Sequence, residues 1–354
     1  MPRALPSLEL VPAPDAWERE VSSLPYPHFL QSAPWAQFKE RYGWRAERYR
    51  LQDDGQTLGY ASVLSRKLAG PLALAYVPRG PLLVRQDRAS LEAALSALED
   101  LARRRHWLMI KVDAELWDDD VAEWARPTLE ARGWQPGQQV QFRNTVQMDI
   151  TGSEDDILAR MKPKTRYNVR LAARRGVAVR PVGKEEFGTA YDLYRRTALR
   201  DGFIVRPRSY YEQLWSTLLD ADMGTVLMAE YEGAPLAALV AVAHGNTAWY
   251  FHGASGDEHR NLMPTYLLQW EAIRWARARG CTVYDMWGAP ESPDDDEGMG
   301  GVLRFKLGFG GRFREGLGAW DYAPVPALYQ LYTVTVPRLL ALGRGLRRRT
   351  QRYD

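Results

Sequence analysis

Apolar and polar residues alternate along two stretches far apart in the chain, and each stretch predicts a β-hairpin. GYASVLSRKLAGPLALAYVPRGPL runs from Gly59 to Leu82, and APLAALVAVAHGNTAWYFHGASG from Ala234 to Gly256. Each closes on a tyrosine, Tyr76 or Tyr250, followed by a Gly-containing turn. The period then becomes helical. LEAALSALEDLARRRHWLMIKVDAE (Leu91 to Glu115) and YLLQWEAIRWARARGCTVYDMWGAP (Tyr266 to Pro290) each predict an amphipathic helix with Arg-rich last turns. A short apolar strand follows, closing on Asp113 or Asp285. The order strand, strand, helix, strand occurs twice, which implies two related domains. The length of 354 residues agrees, at about 150 residues per domain.

A hairpin followed by a helix and a further strand reads as an acyltransferase unit of the GNAT type. The expected class is therefore α/β (α+β): two tandem GNAT-like domains with mixed sheets flanked by helices and no coiled-coil arm. Residues 1–148 with 321–354 are expected to form the first domain and 149–320 the second. A CoA-using enzyme of this fold needs a Gly-rich turn where the second hairpin meets its helix, because backbone N–H groups there hold pyrophosphate. DEHRNLMPTYLLQW, Asp257 to Trp270, has no glycine, and Pro264 removes one donor. The acyl donor is expected to be something other than acetyl-CoA.

Composition narrows the class without deciding it. Hydrophobic content of 45% and charged content of 26% are ordinary for a globular protein. The longest apolar run, Leu236 to Ala243, is strand-sized, far below the ~20 residues that span a bilayer. The N-terminus has no signal-peptide pattern, so a cytoplasmic location is expected. One cysteine, Cys281, excludes an internal disulfide and a thiolate zinc site. The acidic stretch ESPDDDE, Glu291 to Glu297, lacks the ligand spacing of a metal loop. No metal or cofactor is expected.

Charge is informative locally. The net charge is only +3, yet every charged residue from Arg160 to Arg180 is basic. Glu154, Asp155 and Asp156 come just before, so a helix from Glu154 to Arg175 would suit the helix dipole. Its basic half is either a solvated face or a surface for a phosphate-bearing partner. The tail Pro337 to Asp354 is a second basic amphipathic segment. It reads as a packed helix with a frayed end, or as a contact with tRNA or an anionic membrane.

Five segments in order carry a family resemblance: FLQSAPWAQFKERYGW, KTRYNVRLAARRGVAVR, WYFHGASGDEHRNLMPTYLLQWEAIRWARARG, YDMWG and GVLRFKLGFGG. Together they resemble the FemABX family of peptidoglycan-bridge peptidyltransferases, over Phe29 to about Tyr332. The resemblance implies transfer of an amino acid of the Gly, Ala or Ser class from aminoacyl-tRNA. The acceptor it implies is the side-chain amine of a peptidoglycan precursor, either UDP-MurNAc-pentapeptide or lipid II. A monomer is expected.

The resemblance also implies residue roles. Lys39 completes a Ser32-x-x-Trp35-x-x-x-Lys39 pattern whose lysine contacts precursor phosphate; alone it reads as a surface lysine. Arg206 and Tyr210 would hold the same precursor, with a helix starting only after Pro207. Tyr76 and Tyr250 read as plain core or as substrate-binding cleft residues, Tyr250 being the one that resembles a cleft tyrosine of the family, and His252 reads as a structural histidine. Lys162, Lys164, Arg170 and Arg174 are the tRNA-binding candidates. Asp113 is a candidate base or amine-positioner, or a turn-forming aspartate. Phe305 and Lys306 sit in what reads as a glycine-rich loop without a P-loop ending. The phenylalanine would stack on a terminal base, typically worth ~1–3 kcal/mol. The lysine would stabilise charge on the ester carbonyl.

Overall fold

The computed structural model describes residues 6–68, 70, 72–116, 119–293 and 299–335. The basic tail Pro337 to Asp354 and residues 294–297 of the acidic stretch lie outside the described residues.

The first sheet is built from β1 (Ser7–Leu10), β2 (Arg45–Asp53), β3 (Gln56–Lys67), β4 (Ala73–Val77), β5 (Leu82–Leu83), β6 (Met109–Val112) and β7 (Gln135–Pro136). The second takes β8 (Thr145–Asp149), β9 (Ala178–Pro181), β10 (Gly224–Tyr231), β11 (Ala234–His244), β12 (Thr247–Ser255), β13 (Val283–Asp285) and β14 (Arg312–Arg314). The chain then returns, and β15 (Trp320–Tyr322) pairs with β6 and β7. The strand orders are 1-2-3-4-6-15-7, with β5 on β3, and 14-8-13-12-11-10-9.

Both sequence repeats fold alike. β3 pairs antiparallel with β4, the helix Arg88–Arg104 crosses over, and β6 returns parallel to β4. In the second sheet β11 pairs with β12, the helix Pro264–Ala278 crosses over, and β13 returns parallel to β12. On the β12 side β13 pairs with Thr247–Trp249 alone, so the end of β12 from Tyr250 onward runs past it. Opposite that point, β11 and β12 slip by one residue at Phe251: Ala241 faces Tyr250 and Val240 faces His252. Such a bulge bends the strand and re-aims its side chains.

One core cluster joins the first sheet to the helix Arg88–Arg104. A second joins the second sheet to the helices Pro163–Arg174 and Pro264–Ala278. A third crosses between the two halves: Phe29, Leu30, Trp35 and Phe38 pack with Tyr211, Trp215, Val240, Trp249 and Trp287. This N-terminal segment therefore docks on the second sheet, and that docking brings Lys39 beside Arg206.

Two expectations fail. The helix anticipated from Glu154 to Arg175 is two helices, Glu154–Arg160 and Pro163–Arg174, with Met161 and Lys162 extended between them. Proline disfavours the helical region for the residue before it, so Pro163 breaks the run and opens the next helix. The glycine-rich segment around Lys306 is a helix, Gly300–Gly308, rather than a loop. Its glycines crowd the ends, while Leu303, Phe305 and Leu307 pack on the second core.

Candidate active site

Ser32 caps the helix Ala33–Glu40 by accepting from Trp35 N at 3.2 Å. Trp35 and Phe38 are buried, and Lys39 emerges half-buried beside them. The Lys39 ammonium lies 5.6 Å from the Trp35 ring and 5.7 Å from Trp44. Burial, then the nearby Arg206 and Arg66 guanidiniums, push its pKa down to about 8. Arg206 precedes the helix Arg208–Asp220, as Pro207 predicts, and its guanidinium stacks 4.8 Å from Tyr210. The Tyr210 ring meets Phe38 at 5.1 Å and Tyr42 at 4.7 Å. Among the described residues, none of Lys39, Arg66 and Arg206 forms an ion pair. Three cations gathered on aromatic walls without a carboxylate suit a polyanion such as a diphosphate.

Lys306 is more deeply buried and has different surroundings. Lys306 Nζ donates to Trp287 O at 2.8 Å and Gly288 O at 2.6 Å, and lies 5.7 Å from the Tyr250 ring. Burial lowers its pKa to about 7, against an upward pull from Asp285. Asp285 ends β13 and accepts from Thr145 Oγ1 (2.5 Å), Gln147 Nε2 (3.0 Å) and Trp287 N (2.7 Å). It thereby fixes the loop whose carbonyls hold the ammonium. Burial raises the Asp285 pKa to about 6. Tyr250 is pushed up to about 12 by burial. Phe305, on another side of the same helix, packs edge-on against Tyr266 and Phe309 and is only partly buried.

Asp113 lies at the seam between the sheets. Its carboxylate accepts from Tyr76 Oη at 2.7 Å and from Arg79 N at 2.5 Å. Burial raises its pKa to about 6, opposed by Arg79 and Tyr76. Arg79 adopts a left-handed backbone, φ 53°, and its side chain donates to Phe142 O at 2.6 Å. Its guanidinium lies 5.5 Å from the Trp287 ring, and its Nε is 3.4 Å from Glu115. Glu115 also lies 3.4 Å from His28 Nε2. Asp113 is thus linked through Arg79 and Trp287 to the loop that anchors Lys306.

The basic helix Pro163–Arg174 abuts the Lys306 helix. Lys162 N donates to Gly308 O at 2.9 Å, and a Cβ on Gly308 would come within 2.4 Å of Thr165 Oγ1. Only glycine allows that approach. Lys162, Lys164, Arg170 and Arg174 are exposed, as is Tyr167, whose ring lies 5.9 Å from the Arg174 guanidinium. His252, by contrast, is walled in: Nδ1 accepts from Trp215 at 3.2 Å, and burial lowers its pKa to about 3. The helix Pro264–Ala278 begins after Met263 in a left-handed conformation, with Pro264 buried at its first turn. Pro264 contributes no amide donor for a pyrophosphate there.

The FemAB family profile matches residues 15–231 and 224–336. The chain belongs to the FemAB family. The lipid II:glycine glycyltransferase of Staphylococcus epidermidis is 26% identical, covering 90% of this chain and 93% of the relative. The Staphylococcus aureus protein of the same name is 26% identical, covering 93% and 97%. In structure, the chain is similar to FemX: TM-score 0.82 and 24% identity, over 91% of this chain and 99% of that one. A tandem GNAT protein from the clavulanic acid pathway shares the fold, with TM-score 0.51 and 15% identity over 90% and 99% of the two chains. This FemAB-family chain is an aminoacyltransferase. Among its described residues, no helix is long and apolar enough to cross a membrane.

In this FemAB-family chain the sequence candidates fall into four places. Lys39, Arg206 and Tyr210 come together; Lys306 and Tyr250 come together, with Phe305 on another side of the Lys306 helix; Asp113 and Tyr76 are hydrogen-bonded at the seam; Lys162, Lys164, Arg170 and Arg174 lie exposed at the basic helix. Arg66, Arg79, Glu115 and His28 are additions that sequence reasoning missed.

Proposed function

We propose that the protein moves an amino acid from aminoacyl-tRNA to the side-chain amine of a peptidoglycan precursor, forming an interpeptide bridge. The acceptor's diphosphate would sit on Lys39, Arg66 and Arg206, with Tyr210 as a wall. The tRNA backbone would lie along Lys162, Lys164, Arg170 and Arg174, bringing its aminoacyl end to Lys306 and Phe305. The relatives' names favour glycine as the amino acid and lipid II as the acceptor.

The observation that carries this reading is the state of Lys306. An ammonium has three donors, and two are committed to the Trp287 and Gly288 carbonyls. One N–H remains, held in place at a buried site beside the end of a basic helix. As the acceptor amine adds to the ester carbonyl, negative charge develops on the carbonyl oxygen. A fixed donor there lowers the barrier without reorganisation. The C–O bond to the ribose then breaks, the new C–N amide bond remains, and the amine proton leaves with the ribose hydroxyl or solvent. In this scheme Asp113 is a positioning group, since both its oxygens already hold Tyr76 and the Arg79 peptide.

The test is mass spectrometry of a precursor incubated with purified protein and glycyl-tRNA or acetyl-CoA. A product shifted by one glycine with the tRNA alone supports the proposal. An acetyl shift with acetyl-CoA would replace it with a CoA-dependent acyltransferase.

A further inference from the structure

Beside the cation cluster, the chain turns sharply out of the protein. The helix Phe187–Asp201 ends at Gly202, whose φ of 77° reverses the backbone before Arg206. On this turn Leu199 is 78% exposed, Ile204 98% and Phe203 41%. The Phe203 ring is braced against Tyr194 at 5.7 Å, so the tip has an anchored root. An isoleucine that touches almost nothing has no groove of its own. Three large apolar side chains within six residues concentrate apolar surface that a monomer in water has no reason to present.

The charges around the tip indicate what covers it. Arg195 pairs with Asp192, Arg200 with Asp201 and Asp257, and Arg208 with Glu212. Arg196 lies three residues before Leu199 on the same helix, so the two share a face. Arg196, Arg206, Lys39 and Arg66 form no ion pair among the described residues. An apolar tip next to cations that no carboxylate pairs matches an anionic bilayer surface: aliphatic groups enter the acyl boundary, the exposed Arg196 meets headgroup phosphates, and the Lys39–Arg206 cluster stays open for the acceptor's diphosphate. A protein partner would require a wider patch than three side chains supply.

We propose that Leu199, Phe203 and Ile204 form a membrane-docking tip that seats the Lys39–Arg206 site at the headgroup level of an anionic bilayer. Resting on the function proposed above, this orientation presents the diphosphate site to a lipid-linked acceptor, whose apolar tail would stay in the bilayer beside Ile204. Contact through so few side chains is weak and reversible, and it depends on anionic lipid.

The test is co-flotation of the full chain with vesicles of phosphatidylcholine, with and without phosphatidylglycerol. Binding is expected only with phosphatidylglycerol. Leu199→Asn combined with Ile204→Asn, which removes the apolar tip without adding charge beside the cation cluster, should weaken it at least tenfold, while kcat/KM toward a water-soluble nucleotide-linked acceptor stays unchanged. Ile204→Trp should bind at least as tightly as the unmodified chain. Absence of binding by the unmodified chain, or a double variant that binds within twofold of it, overturns the proposal. If vesicle binding follows expectation but no acceptor is ever modified, the docking tip stands and the proposed function falls.

Discussion

Lys39 and Lys306 are both drawn out of water and both have lowered pKa values, but the causes differ. At Lys39 burial is joined by two cations, Arg206 and Arg66. At Lys306 burial acts alone, and Asp285 pulls the other way. Lys39 lies over aromatic faces and makes no ion pair, so its donors remain available for an anion that neutralises all three cations. Lys306 has two of its three donors tied to carbonyls, so its protonated form holds one N–H in a fixed direction. On the proposed function the first arrangement would bind the acceptor, its mutual repulsion relieved when the ligand arrives, and the second would stabilise developing charge, its value lying in not moving.

The largest effect expected from this contrast is at Lys306. Lys306→Ala should lower kcat and kcat/KM together by about 10²–10³, the usual cost of one preorganised donor. Lys306→Arg should recover little, because a planar guanidinium cannot satisfy the two carbonyls and still present a point charge. Steady-state rates with saturating tRNA would show it. Lys39→Ala and Arg206→Ala should instead raise the acceptor KM by roughly 10–100-fold each, from about 1.5–3 kcal/mol per charge-assisted contact. Their kcat should hold.

The basic helix sharpens the comparison from the donor side. Charge reversal at Lys164, Arg170 and Arg174 should raise the tRNA KM roughly tenfold. It should also flatten the salt dependence of tRNA binding by up to about 0.9 in log–log slope per lost phosphate contact. The acceptor KM should not move. Filter binding across a salt series would separate the two surfaces.

In pH, kcat should fall as pH rises through about 7 and Lys306 loses its charge; the smallest expected effect is on acceptor binding. A lysine with a lowered pKa is charged below that pKa and loses its charge as pH rises through it. Acceptor KM should therefore be flat up to about pH 8 and climb above it, following Lys39. In Lys39→Ala the climb should vanish, leaving a uniformly high KM. A climb that persists in the variant would show that another group titrates.

The fold was legible because its signal is periodic and repeated: two hairpins, two crossover helices, and two strands ending on Asp113 and Asp285. The proximity of Arg206 to Tyr210 was legible because Pro207 sets the start of the helix between them. The Lys306 helix was missed because terminal glycines look like a loop when the packing of Leu303 and Phe309 is unseen. The break at Met161 was missed because a continuous charge pattern outweighed Pro163. Arg79, Glu115 and His28 were missed for a different reason. Their contacts join residues tens of positions apart across the seam, and Arg79 depends on a left-handed backbone that no propensity marks.

The separation of binding from positioning is tested most directly by single-turnover rates at saturating acceptor for Lys39→Ala and Lys306→Ala, measured side by side with preformed aminoacyl-tRNA. The account predicts that Lys39→Ala regains the rate of the unmodified enzyme once saturated, while Lys306→Ala stays about 10²–10³ slower at any acceptor concentration. A Lys39→Ala enzyme that remains slow at saturation, or a Lys306→Ala enzyme that recovers, would contradict it.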